Sequence, residues 1–396
     1  MTRPTSTSNT SNEPTSNPSS LDAEDATRQR YSAAANAREE ALCCPVDYDR
    51  TLLEAIPNEV IERDYGCGDP SRYVAANETV LDLGSGGGKI CFIASQIVGS
   101  EGRVIGIDMN DEMLGLARAS APIVAENIGH ANVEFRRGRI QDLALDVDRL
   151  ESWLNDNPVK SLQDLTRLEE EKERLCLEHP LVSDDSIDLV VSNCVLNLVR
   201  EAEKSQLIEE IFRVLKPGGR IAISDIVSDE VVPAHLKNDP ELWSGCVSGA
   251  FHELDLLKRL EAIGFYGIEI DKWEGEPFAV VEGIEFRSVT ITARKGKEGP
   301  CIEAGHAILY KGPWKQVVDD DGHTLERGVR TAVCAKTFQI LSGGPYVEQT
   351  IGIEPAARIP EEDQSAFDCS RTEPRHPRET KGADDRRSKP ASDSCC

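Results

Sequence analysis

Between about residue 41 and residue 295, short apolar runs alternate with stretches of helical spacing. The runs "TVLDLG", "RVIGID", "NVEFRRG", "IDLVVSN", "RIAISDIV" and "SVTITARK" read as strands, and helical patterns fall between them. That alternation predicts an α/β fold with a mostly parallel sheet. The last part, "GIEIDKWEGEPFAVVEGIEFRSVTITARK", has two extended runs with no helix between them and predicts an antiparallel pair at the sheet's edge. Between "IQDL" and "SIDLVVSN" lies a long, charged connection, "DVDRLESWLNDNPVKSLQDLTRLEEEKERLCLEH", which predicts a helical insertion on the surface over 143–183.

The two ends read differently. Residues 1–38 are rich in Ser, Thr, Asn and Pro and nearly free of large apolar side chains, so they are expected to be a disordered tail. The main domain is expected over 39–297. After it, "GHAILYKGPWKQVVDDDGHTLERGVRTAVCAKTF" places an Asp-Gly turn between strand-like runs, which predicts a small C-terminal β or α+β unit over 298–360. Residues 361–396 are polar and charged again and are expected to form a flexible tail ending in Cys395-Cys396.

Composition narrows the function classes. Acidic residues outnumber basic ones 70 to 44, a formal charge of -26, which argues against nucleic acid and anionic lipid as partners. No apolar run reaches the roughly 18 residues of a membrane helix, and no signal pattern opens the chain, so a cytoplasmic protein is expected. Twelve cysteines in such a chain would be mostly reduced and point to ligand or catalytic chemistry.

The first chemical motif is "VLDLGSGGGKI", where a strand ends at Asp82 and a glycine-rich turn leads into a helix. By itself such a turn also suits a dinucleotide enzyme, and so does Asp108 at the end of the next strand, placed for a ribose. The "DLGSGGG" form and the antiparallel final strand favour S-adenosylmethionine. From about Thr79 to Lys295 the chain resembles the class I S-adenosylmethionine-dependent methyltransferases, whose sheet is Rossmann-like with an antiparallel edge strand. The resemblance implies that Asp82, Gly84, Ser85 and Gly86 hold the methionine end, Asp108 and Met109 the ribose, and Ile140 and Gln141 the adenine. The Pro-Gly-Gly of "RVLKPGGRIAISD" reads as a structural turn.

Ligands in open α/β sheets bind beyond the carboxyl ends of the strands, and "VVSNCV" places Cys194 there, facing the methyl donor. Alone it would read as a small buried hydrophobe. Cys246 in "ELWSGCVSGAF", Cys67 in "ERDYGCGDPSRY" and Cys43 and Cys44 in "ALCCPVDY" change that reading, because glycine-flanked cysteines suit a soft, thiophilic centre. With no C-x-x-C knuckle, a structural zinc site is disfavoured. His252 is the single nearby candidate for a general base, and a capping role suits it better.

"CCPVDY", "VIERDYGCGDP", "LDLGSGGGKICFIASQ", "SNCVLNLV" and "SGCVSGA" occur in the order of the arsenite methyltransferases, and over about Cys43 to Ala250 the chain resembles that family. The resemblance implies that Cys67, Cys194 and Cys246 bind trivalent arsenic and that Cys44 takes part in disulfide exchange. Asn193 would contact the cofactor and Tyr65 would help close the loop over it. The implied partners are arsenite, free or as a glutathione conjugate, with thioredoxin or glutathione as reductant, and the chain is expected to act as a monomer. The products would be methylated arsenicals, made for detoxification or as precursors of organoarsenicals such as arsenosugars. Gly245 stands where many relatives carry an acidic residue, which puts assistance to hydroxide loss from that position in doubt. Cys91 reads as packing, and Cys176, Cys301, Cys334 and Cys369 receive no catalytic role. Two other readings stay open: a methyltransferase of an organic acceptor such as a quinone precursor, and a non-catalytic metalloid-binding protein.

Overall fold

The computed structural model describes residues 20–36, 39, 46–370 and 373–380. Its main sheet contains β1 (Thr79–Leu83), β2 (Arg103–Asp108), β3 (Val133–Arg137), β4 (Ile187–Asn193), β5 (Leu215–Ser228), β6 (Phe251–His252), β7 (Tyr266–Trp273), β8 (Ala279–Val281) and β9 (Ile284–Arg294). Their order is β3-β2-β1-β4-β5-β9-β7, with β6 beside β5 and β8 beside β9. β1 pairs in parallel with both β2 and β4. The chain therefore leaves β1 in one direction along the sheet and returns to its other side at β4, which opens a crevice at their carboxyl ends.

Burial explains why these segments hold the centre. Val80, Leu81 and Leu83 of β1 and Leu189, Val190 and Val191 of β4 are all fully buried. Each such aliphatic side chain contributes about 1.5–3 kcal/mol. The helix Lys89–Val98 is apolar nearly all round and buries Ile90, Cys91, Phe92, Ile93 and Ala94. Phe92 meets Phe135 edge-on at 5.5 Å. The next helix, Asp111–Ile128, starts where the Asn110 side chain accepts the Met113 N–H.

The expected antiparallel pair is β7 with β9, the last two strands at one edge of the sheet, and β9 also runs against β5. Its direction follows from Asp229 N–H donating to Glu285 O, while Gly218 N–H donates to Lys295 O. β5 runs through the Pro-Gly-Gly read as a turn, with Gly218 at φ 85° absorbing the irregularity. The long connection carries two helices, Val147–Asp156 and Leu162–Glu178, capped by Asp146 and Ser161. Among their side chains only Leu175 is buried, so both are surface helices.

Two expectations about the ends fail. Residues 20–36, taken as part of a disordered tail, form the helix Ser20–Asn36. Its apolar face is small, Tyr31 with Ala34 and Ala35 against Met113 and Tyr65, but Arg30 adds a hydrogen bond to Ser244 Oγ at 3.0 Å. Alanine and arginine are strong helix formers, so low hydropathy concealed a stable element. At the other end, Ser365–Ala366 pairs antiparallel with Ile302–Glu303, and Arg375 grips Glu303 through two bonds of 2.9 and 2.8 Å. Backbone pairing and an ion pair in which one guanidinium nitrogen meets both carboxylate oxygens, rather than apolar burial, hold this polar segment. Cys395 and Cys396 lie outside the described residues.

The chain divides into two compact units, the smaller comprising 216–220, 260–269 and 292–396. In it, Ala307–Tyr310 pairs antiparallel with Arg330–Ala332 and with Thr350–Ile353, over a core of Ile308, Tyr310, Leu325, Val333 and Leu341. The Asp-Gly turn joins Gln316–Val318 to Thr324–Glu326, with Gly322 at φ 86°. No helix among the described residues is long and apolar enough to cross a membrane.

Candidate active site

The crevice beside β1 and β4 holds a cavity of about 520 Å³. Asp82, Gly84, Ser85 and Gly86 of the first loop line it, with Asp108 and Met109 at the end of β2, Ile140 and Gln141 after β3, and Tyr65 and Asn193. The loop's shape is set by backbone bonds. Gly84 and Ser85 N–H both donate to Ile107 O, at 2.8 and 2.9 Å, which draws the turn over the end of β2. Gly84 sits at φ 69°, and a methyl group there would come within 2.5 Å of Val195, so only glycine fits. Asp108 is aimed by two amides, Gly86 N–H at 2.8 Å on one oxygen and Asn110 N–H at 2.8 Å on the other.

Two polar groups in this cavity lack what they need. Ser85 Oγ is buried with no hydrogen-bond partner among the described residues. Asp82 is fully desolvated, and burial pushes its carboxyl up to about 7, against a hydrogen bond from Cys91 Sγ at 3.2 Å. An unpartnered hydroxyl and a desolvated acid favour a ligand carrying donors and a positive charge, as the amino-acid end of S-adenosylmethionine does. Cys91, read as packing, thus also orients Asp82. The sequence reading missed Arg28 and Tyr31, which line the same cavity from the N-terminal helix, because that helix was not expected.

The expected arsenic-binding thiols gather around the end of β4. Cys194 lines the cavity and takes φ 62°; Cys246 takes φ 61°. Left-handed backbone at a non-glycine residue costs on the order of 1 kcal/mol, and surrounding bonds hold both in place. Cys194 N–H donates to Ser224 O at 2.8 Å, and Cys246 Sγ donates to Cys194 O at 3.0 Å. Asn197, also missed, is fully buried and donates to Asp225 Oδ1, Ile226 O and Cys246 O at 2.8, 2.7 and 3.2 Å. It ties the Cys246 loop to the end of β5.

Asn193 has a structural task that the sequence did not reveal. Its Oδ1 accepts the N–H groups of Cys67 at 2.9 Å and Gly68 at 3.0 Å, while Nδ2 donates to Gly68 O at 2.8 Å. A methyl group on Gly66 would collide with that amide, which explains the glycine. Ser288 Oγ adds a bond to Cys67 O at 2.9 Å. Cys67, Cys194 and Cys246 so arrive in one buried apolar cluster with Ile226, Val247 and Phe286. The Cys246 thiol, then the Cys67 thiol, together with burial, hold the Cys194 thiol well above its ordinary range. Tyr31 OH lies 3.7 Å from Cys246 Sγ. Cys44 falls outside the described residues.

A switch-point cavity with a glycine-rich first loop and an acidic residue after β2, on a mostly parallel sheet with one reversed strand, defines a class I S-adenosylmethionine-dependent methyltransferase. A methyltransferase-domain family model matches residues 75–181 and 175–276, and a domain of unknown function (DUF8838) matches 297–385. An arsenite methyltransferase of Aquipseudomonas alcaligenes is 32% identical over 306 residues, 74% of this chain and 78% of the relative. That of Halobacterium salinarum is 39% identical over 207 residues, 52% of this chain and 42% of the relative. The crystal structure of an arsenic(III) S-adenosylmethionine methyltransferase from Chlamydomonas reinhardtii aligns with a TM-score of 0.54 and 25% identity, covering 82% of this chain and all of that one. The chain belongs to the arsenite methyltransferase family.

Replacing Asn193 with alanine should release the Cys67 loop. Amide hydrogen exchange at Cys67 and Gly68 is expected to lose about 1–3 kcal/mol of protection while β1 keeps its own. Unchanged protection would show that other contacts hold the loop.

Proposed function

We propose that this enzyme methylates arsenite held by Cys67, Cys194 and Cys246, with S-adenosylmethionine bound in the cavity beside them. The observation that carries this reading is that Cys194 both lines the cofactor cavity and packs against the other two thiols. Three thiols exchange their protons for arsenic, releasing the hydroxyls of arsenite as water. The apolar walls exclude water from the arsenic–sulfur bonds. Bound S-adenosylmethionine supplies an electrophilic sulfonium methyl group.

The arsenic lone pair is the nucleophile, so no general base is required, and no role falls to His252. What the chain contributes is position. Asp82, with Ser85, holds the charged amino-acid end, Asp108 the ribose hydroxyls, and the turn at Asn193-Cys194 fixes the acceptor against the donor. Holding both reactants in line supplies several kcal/mol of the barrier reduction. Methyl transfer raises arsenic from the trivalent to the pentavalent state. Two of its thiolates then leave as a disulfide, returning the electron pair to arsenic; water supplies a hydroxide to the vacated position and releases a proton, and thioredoxin or glutathione reduces the disulfide. Cys44 is assigned to the exchange. Acting as a monomer, the enzyme would deliver methylated arsenicals for detoxification or for organoarsenical synthesis.

Two experiments test this. With labelled S-adenosylmethionine, arsenite and a thiol reductant, the wild type should form methylarsenicals. Cys194→Ser and Cys246→Ser should each lose roughly 100-fold in rate, about 3 kcal/mol, with cofactor affinity nearly unchanged. Full activity in either variant would remove arsenic from these sulfurs. The second experiment reads cofactor affinity against pH. Because Asp82 is protonated below about 7 in the empty site, affinity should fall by up to about tenfold per pH unit below that value and level off above it. Asp82→Asn should flatten the profile; an unaltered slope in that variant would exclude Asp82 as the partner of the amino group.

A further inference from the structure

The C-terminal unit contains a second gathering of thiols, on residues far apart in the sequence. Antiparallel pairing of Ile302 with Ala366 and of Glu303 with Ser365 brings the two strands together, and Phe367 N–H closes on Cys301 O at 2.9 Å. Cys301 lies just before one strand. Cys369 follows the other, in a turn where Asp368 accepts the Ser370 N–H at 3.1 Å. Cys334 stands at the start of the helix Ala335–Leu341, its Sγ accepting the Thr337 N–H at 3.3 Å. The result is that the sulfurs of Cys301, Cys334 and Cys369 all lie within 4.8 Å of one another. All three are free thiols; Cys334 is fully buried and the other two are partly open to solvent, so an incoming ion can reach them.

The donor set selects the ion. Three thiols suit soft, thiophilic centres and exclude magnesium or calcium. Structural zinc takes four protein ligands, and among the described residues no carboxylate or imidazole joins these three sulfurs within the same distance. A trivalent arsenical needs three donors and fills its fourth direction with a lone pair.

We propose that Cys301, Cys334 and Cys369 form a second arsenic(III) site, a three-thiolate holding site apart from the substrate thiols. The choice of arsenic over another soft ion rests on the family's reaction, which brings arsenite to this chain. Binding exchanges three As–O bonds of As(OH)3 for three As–S bonds. Each thiol proton leaves with a hydroxyl as water, and no electrons move. Because dimethylated or monomethylated arsenic has fewer exchangeable positions, the site favours the unmethylated substrate. Arsenic bound there also pins the 365–369 segment to the helix at Cys334, so it should stabilise the small unit.

The test uses the full chain, reduced and freed of metal, with serine replacing the cysteines at positions 43, 44, 67, 194, 246, 395 and 396. Arsenite alone is the probe, read by retained arsenic and by X-ray absorption at the arsenic edge. About one arsenic per chain, bonded to three sulfurs, is expected. Adding Cys334→Ser should weaken retention by about tenfold or more, and Cys176→Ser should leave it unchanged. Cys369→Ser, at a partly exposed position, should give the same loss and serves if Cys334→Ser perturbs folding. No retained arsenic, retention that survives both substitutions, or tightly held zinc that arsenite does not displace would each overturn the proposal. Failure of the catalytic assignment would instead appear as absence of methylarsenicals from the wild type, a result that leaves this readout untouched.

Discussion

The turn at the end of β4 is the constraint on which the site depends. Asn193 and Cys194 are adjacent, and their side chains reach toward different partners. The Asn193 amide holds the backbone of Cys67 and Gly68, and the carbonyl of Cys194 receives the thiol of Cys246. One strand end therefore positions all three thiols. Parallel pairing of β1 with β4 puts that turn beside the loop at Gly84, where Val195 packs so closely that a side chain there has no room. The cavity and the thiol cluster share Cys194 because two neighbouring strands end together.

Burial gives this arrangement its chemical character. The Cys194 thiol, packed against two others in an apolar cluster, resists ionisation. A soft ion that replaces protons by covalent bonds relieves that crowding, whereas a hard cation would have to draw charge into a dry pocket. The same physics leaves Asp82 desolvated at the cavity wall, its carboxyl pushed up to about 7 against the hydrogen bond from Cys91. With the formal charge at -26, a desolvated acid there favours a cationic ligand over an anionic one.

Much of this was legible in the residues because the signals were local. Apolar runs marked the strands, and the spacing around Asp82 and Asp108 marked two acids that line the cavity. The order of the glycine-flanked cysteines marked the three thiols that the fold gathers into one cluster. Other features were hidden for physical reasons. The helix Ser20–Asn36 buries two alanines and half-buries a tyrosine, too little apolar surface to register in hydropathy, yet it brings Tyr31 to within 3.7 Å of Cys246 Sγ. Asn197 looks like any polar residue after a strand until tertiary structure surrounds it with Asp225, Ile226 and Cys246. Cys301, Cys334 and Cys369 carry no motif at all, since a short strand pairing and a helix start bring them together only in the folded chain.

The central claim is that arsenic sits on the sulfurs of Cys67, Cys194 and Cys246, next to the methyl donor. Its most direct test is an anomalous difference map at the arsenic absorption edge, from crystals grown with arsenite and the demethylated cofactor. The account predicts a peak bonded to these three sulfurs, beside the cavity that Asp82 and Cys194 line. A map in which all three sulfurs are free of arsenic, although arsenic is bound elsewhere on the chain, would contradict it.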